Sequence, residues 1–206
     1  MMNKSLIEEA EIFVKSRLGN DITGHDWFHI DRVRKMAIHI ACEEHKGHLP
    51  TIELAALLHD IPDRKLHESK ADGWRIMNDW FLHSNMDNET VDKITAIIDS
   101  ISFSKGQIAL PSIEAKIVQD ADRLDAIGAI GVARTFAYGG SVGNPIYHPD
   151  LDTIEAKQST IQHFYDKLLK IADQLHTNTA KELAKKRHQY MQEFLQQFYI
   201  EWDVRL

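Results

Sequence analysis

The chain has 206 residues, 43% of them hydrophobic and 27% charged, the balance of a globular protein long enough to bury a sizeable core. Its formal net charge of −7 excludes a general nucleic-acid binder, which needs a basic face. It does not exclude a nucleotide substrate, because a metal ion and a few local cations can hold phosphates inside an acidic protein. The lone cysteine, Cys42, excludes an intramolecular disulfide and fits a reducing compartment. No apolar run of roughly 18 residues marks a membrane span. The acidic, helix-patterned start is unlike a signal peptide, so a cytoplasmic location is expected. The 12 histidines are the one compositional feature that asks for a reason.

The pattern predicts helix almost throughout. Over residues 5–18, Leu6, Ala10, Ile12, Phe13 and Leu18 fall near helical spacing, and Gly19-Asn20 stops the segment. From His25 to about His45, Trp27, Phe28, Ile30, Val33, Met36, Ala37, Ile40 and Ala41 form an apolar stripe. Pro50-Thr51 opens a helix expected to end near His59. Ser69 to Asp72 resembles a capping box ahead of Trp74, Ile76, Met77, Trp80 and Phe81. Asn88 is expected to cap a further helix through Ile101. Residues 113–137 carry helical spacing, and a Gly- and Pro-rich loop follows over 138–149. Two long helices, roughly 153–175 and 178–202, are expected to finish the chain. With no repeat, low-complexity tract or convincing linker, the expectation is one all-α domain over residues 1–206. Its metal core would span about 20–137, with a lid loop over 138–150.

Chemistry concentrates where charged residues interrupt apolar runs. In ALLHDIPDRK (56–65), His59-Asp60 follows three apolar residues at a predicted helix end, where an imidazole nitrogen and a carboxylate oxygen can reach one metal ion. Two ligands are too few. His25 and His29 share one face of the early helix at i and i+4, and Asp120 and Asp122 interrupt an otherwise buried stretch. A buried carboxylate is costly unless paired or bound to a metal. One His, the His-Asp doublet and one Asp thus make a four-ligand set, with coordination positions left for water and substrate.

GHDWFHIDRV (24–33), LLHDIPDRK (57–65), SFSKG (102–106), IVQDADRLDAIGAIGVAR (117–134) and YGG…PIYHPD (138–150) together resemble the small bacterial subgroup of HD-domain metal-dependent phosphohydrolases. The resemblance runs from about residue 20 to 150, with C-terminal helices of the same subgroup's kind. It implies an all-α, single-domain HD-type helical bundle with two long C-terminal helices. It also implies a divalent ion held by His29, His59, Asp60 and Asp122, with Asp122 rather than Asp120 as the last ligand. Asp63 matches an acidic residue that orients or deprotonates the attacking water in relatives cleaving guanosine tetraphosphate. Arg64 replaces the second acid of their HDxxED motif, which disfavours that substrate; the motifs of cyclic-di-GMP-degrading members are absent as well.

Charge developing on phosphates needs cations positioned beforehand. Lys65, Lys105 and Arg134 are the candidates. Asp125, one turn past Asp122, is assigned to the pocket or to structure, with the pocket favoured. His25 is placed to meet phosphate or a second metal. Arg32 and Arg123 are expected to pair with buried carboxylates. Gly139, Gly140 and Gly143 form no phosphate-binding P-loop, since no Gly-Lys-Ser/Thr follows. Tyr190, Phe194, Leu195 and Phe198 are assigned to the core or to a homodimer contact.

The expected activity is hydrolysis of (deoxy)nucleoside triphosphates to monophosphate and pyrophosphate. The alternatives are a nucleoside monophosphate phosphatase at the same site, or a catalytically silent nucleotide-binding or interaction module. The family favours Mn²⁺ or Mg²⁺ as the metal, and the ligands would also suit Fe²⁺ or Zn²⁺. The partner expected is a small-molecule nucleotide, with no specific nucleic acid and no membrane.

Overall fold

Helix α3 (Leu49–Leu58) is apolar apart from Thr51 and Glu53, and seven of its ten residues are buried: Thr51, Ile52, Leu54, Ala55, Ala56, Leu57 and Leu58. A helix of that kind can only be a core helix. In the computed structural model, which describes residues 4–18, 26–63, 67, 69–101, 109–150 and 152–204, every described element is helical. The contacts group into two compact units, the first running through Ala121 and the second from Asp122 onward.

In the first unit, α3 packs against α1 (Lys4–Leu18), α2 (Trp27–Glu44) and α5 (Asn88–Ile101). Leu54, Leu57, Leu58 and Ile61 meet Ala10, Val14, Ile30, Met77, Ile94 and Ile98 in one core. The stripe read from the sequence of α2 turns inward, with Ile30, Val33, Ala37, Ile40 and Ala41 buried. At the rim, Arg34 of α2 ties its neighbours together. Its Nε donates to Glu53 of α3 at 2.8 Å and its Nη1 to Glu11 of α1 at 2.9 Å. Helix α4 (Lys70–His83) begins as expected: the Ser69 hydroxyl accepts from the Asp72 amide and donates to the Asp72 carboxylate. At α5 the capping side chain is Asp87, whose carboxylate accepts from the Thr90 amide; Asn88 is already helical.

Helix α6 runs from Ile113 to Asp125. The stretch expected as helix over 113–137 is interrupted at Ala126–Ile127, and α7 (Gly128–Ser141) starts from Gly128 at φ +78°. α7 then continues four residues beyond the start of the expected loop, and Gly139 lies inside it. A Cβ on Gly139 would stand 2.2 Å from Thr160 Oγ1, so this glycine serves a close helix contact rather than a turn.

The segment expected as one helix over 153–175 is broken. Thr153 caps α8 (Ile154–Gln158), and Ser159, extended at φ −66° and ψ 151°, ends α8 and caps α9 (Thr160–Asp166). Two short 3₁₀ turns follow before α10 (Asn178–Trp202), the one long C-terminal helix. Phe194 stacks on Phe164 at 5.8 Å, and Leu195 is buried, which assigns both to the core of this unit; Tyr190 is exposed. The loop after α7 is anchored at its centre. The Tyr147 ring meets Phe198, Tyr199 and Trp202 edge-on at 5.7, 5.5 and 4.9 Å, and the Pro145 and Ile146 carbonyls accept from the Thr160 and Ile161 amides.

Candidate metal centre

Each candidate ligand stands at a helix end fixed by its local sequence. Asp26 caps α2 by accepting from the His29 amide at 2.8 Å, which sets His29 in the first turn. The His29 side chain is buried. α3 runs out at Leu58, and His59 is its C-terminal cap. Two tight turns follow, with the Ile61 amide donating to the Leu58 carbonyl and the Asp63 amide to the Asp60 carbonyl, both at 3.0 Å. Asp122 lies in the last turn of α6.

The imidazoles of His29 and His59 stand edge to face, 5.5 Å between centroids. One ligand atom from each of His29, His59 and Asp122 falls within 4.8 Å of the other two. Atoms sharing one ion at bond lengths of about 2.0–2.2 Å are separated by up to about 4.4 Å, so this grouping is close to ligating distances. The Asp60 carboxylate spans the two rings, with Oδ2 3.3 Å from His29 Nε2 and Oδ1 3.3 Å from His59 Nε2. His59 Nδ1 lies 2.8 Å from the Ala56 carbonyl, which can only accept, so Nδ1 donates there and Nε2 is the ring nitrogen that faces the candidate centre. Two imidazole nitrogens and two carboxylates fit a divalent cation of intermediate hardness.

Asp122, not the fully buried Asp120, contributes the third atom of that group. Asp63 follows Asp60 by one tight turn and is partly exposed. Asp125 and Arg134, both expected at the pocket, are joined to each other: Arg134 Nη1 donates to the buried Asp125 carboxylate at 2.8 Å. Arg123 Nη1 donates to the Gln174 carbonyl at 2.6 Å. His25, Lys65, Lys105 and the SFSKG segment lie outside the described residues.

Three residues that pattern reading passed over shape these helix ends. His67 Nε2 donates to the Ile61 carbonyl and pins the turn after the His-Asp doublet. Gly73 of α4 lets that turn approach, since a Cβ there would lie 2.8 Å from Pro62 Cα and 2.7 Å from His67 Cδ2. Arg187 of α10 donates through Nη1 to the Leu124 carbonyl. Only Gly73, isolated in a helical pattern, left a local signal in the sequence.

No protein-family model matches the chain. The Bacillus subtilis protein YpgQ is 39% identical over 200 residues, 96% of this chain and 93% of YpgQ. A crystal structure of YpgQ in complex with ADP aligns over 96% of this chain and 95% of that one at TM-score 0.81, with 36% identity. A crystal structure of an HD-superfamily hydrolase from Bacillus thuringiensis aligns over 98% and 99%, at TM-score 0.78 and 44% identity. Among the described residues no helix is long and apolar enough to cross a membrane. With the His/His-Asp/Asp donor set on helix ends and relatives of this similarity along its length, the chain belongs to the HD superfamily of metal-dependent phosphohydrolases.

Proposed function

We propose that the chain hydrolyses (deoxy)nucleoside triphosphates to monophosphate and pyrophosphate, using a divalent ion held by His29, His59, Asp60 and Asp122, with Mn²⁺ or Mg²⁺ favoured. The observation that carries the reading is the convergence of two imidazoles and an aspartate within 4.8 Å, with the Asp60 carboxylate against both rings. The ADP bound by YpgQ supports a nucleotide as the ligand class.

In this reading a divalent ion supplies a Lewis acid for a phosphoryl oxygen and acidifies water. The chain's own residues do the rest. Asp63 accepts a proton from, or orients, the attacking water. Arg134, fixed through Asp125, offers positive charge to the phosphates as negative charge develops, and Lys65, Lys105 and His25 are the further candidates for phosphate contact. The hydrogen bond from His59 Nδ1 to the Ala56 carbonyl orients the ring so that Nε2 would be the ligating nitrogen.

The test is a matrix of divalent metals against nucleoside mono-, di- and triphosphates, reading pyrophosphate and orthophosphate separately. Pyrophosphate from triphosphates is expected, falling to background in the double variant His59→Ala, Asp60→Ala. Orthophosphate from monophosphates would instead identify a phosphatase at the same site, and inactivity with every metal and nucleotide would sink the reaction assignment.

A further inference from the structure

The last turn of α6 is tied down at three consecutive residues directly after Asp122. Arg123 donates to the Gln174 carbonyl at 2.6 Å. The Leu124 carbonyl accepts from Arg187 Nη1. Asp125 is paired with Arg134 at 2.8 Å. A helix C-terminus leaves its final carbonyls without regular intrahelical donors; here the Ile127 amide reaches the Leu124 carbonyl at 3.3 Å, and Arg187 adds a charged donor from another helix.

Arg187 is the most remote of these ties in sequence, and its side chain is partly buried. Burial pulls its guanidinium below the usual arginine range, opposed by the charge of Asp125. Its stem lies on Gly128, where a Cβ would meet Arg187 Cβ and Cγ at 3.0 Å, and Gly128 itself sits at φ +78°. The chain thus reserves a glycine for the path by which this arginine reaches the end of α6. Desolvating an arginine is costly, and a charge-assisted hydrogen bond to a helix terminus is a return that a solvated surface position would not give.

Building on the metal-centre reading above, we propose that Arg187 is a positioning residue for Asp122: by holding the Leu124 carbonyl and facing Asp125, it fixes the rotation and pitch of the turn that presents the Asp122 carboxylate. A helix end free to fray would let that carboxylate swing, and groups that orient metal ligands commonly change metal affinity by about 10–100-fold.

The experiment is calorimetric titration of the metal-free full chain with Mn²⁺, with thermal unfolding recorded for every variant. Arg187→Met is expected to stay folded and lose about 10–100-fold in Mn²⁺ affinity. Arg187→Lys, which keeps a charged donor, is expected to fall between it and wild type. Wild-type affinity in folded Arg187→Met overturns the proposal. So does an Arg187→Lys affinity no better than that of Arg187→Met, because the bond to Leu124 would then carry nothing. If Arg187→Met does not fold, Gly128→Ala decides, since its Cβ displaces the arginine stem: weakened Mn²⁺ binding supports positioning, and unchanged binding overturns it. Asp122→Asn separates the two levels of the argument. If wild type and Asp122→Asn bind Mn²⁺ alike or not at all, the metal-centre reading itself fails. If Asp122→Asn alone weakens binding, only the role of Arg187 is lost.

Discussion

Two of the three helix ends that present candidate ligands are mounted in opposite ways. The His59-Asp60 end of α3 is held by what its helix buries: Leu54, Leu57 and Leu58 expose no surface, and α1, α2 and α5 surround them. The Asp122 end of α6 is held by directed polar bonds from Arg123 and Arg187 and by the pair of Asp125 with Arg134. Apolar attraction is non-directional and spread over many small contacts, so damage to it costs stability before it costs geometry. Directed bonds are few, and each fixes an angle, so losing one changes where a carboxylate points while much of the fold survives. The first mount should therefore fail as unfolding and the second as a change in metal binding.

Leu57→Ala gives the largest expected effect and breaks the apolar mount. Removing a fully buried leucine side chain between helices costs about 2–5 kcal/mol, according to how far the cavity collapses. Chemical denaturation should show the loss in full. Mn²⁺ affinity of the remaining folded protein should stay near wild type, and a large drop there would show that α3 is not the rigid mount described.

Asp125→Asn attacks the polar mount. It replaces a charged acceptor facing Arg134 at 2.8 Å by a neutral amide, and the pair is shielded enough that hydrogen bonds to a charged group are worth about 1.5–3 kcal/mol. The stability cost should thus be smaller than for Leu57→Ala, while the fall in kcat/KM should be larger, measured on folded protein at saturating metal. Equal kcat/KM in the two variants would erase the contrast between the mounts.

What the sequence disclosed divides along the same line. The apolar mount is periodic, so Ile30, Val33, Ala37, Ile40 and Ala41 could be read directly onto the buried face of α2, and the His-Asp doublet onto the end of α3. His29 and Asp122 were singled out by the resemblance of their motifs, and the structure brings their side chains together with His59. The polar mount has no period. Arg187 lies 63 residues from Leu124, and nothing near it in the chain says which carbonyl it will meet. Local rules also misjudged two stretches. Gly139 and Gly140 read as a loop, yet the close approach of Thr160 uses Gly139 inside α7. Over 153–175 an apolar helical pattern outweighed the two capping residues, Thr153 and Ser159, that divide it.

Ser69→Ala gives the smallest effect and serves as the control for both mounts. Ser69 caps α4, whose first turn carries Gly73 against the Pro62 turn, so the substitution touches neither helix end directly. An N-cap of this kind is worth about 1 kcal/mol, and the variant should lose that much at neutral pH with unchanged Mn²⁺ affinity. The loss should also depend on pH with a definite sign. The Ser69 hydroxyl, donating to Asp72, is the main reason this carboxyl titrates below its ordinary value; desolvation opposes it, and Arg75 and His67 add to the lowering. A carboxyl depressed in the folded state contributes stability above its unfolded pKa and loses it as pH falls through the folded pKa. The gap between wild type and Ser69→Ala should therefore be widest near neutrality and narrow in acid. A gap that stays constant down to the pH where both are unfolded would leave the cap as a neutral hydroxyl acceptor alone, with no charge-assisted bond to Asp72.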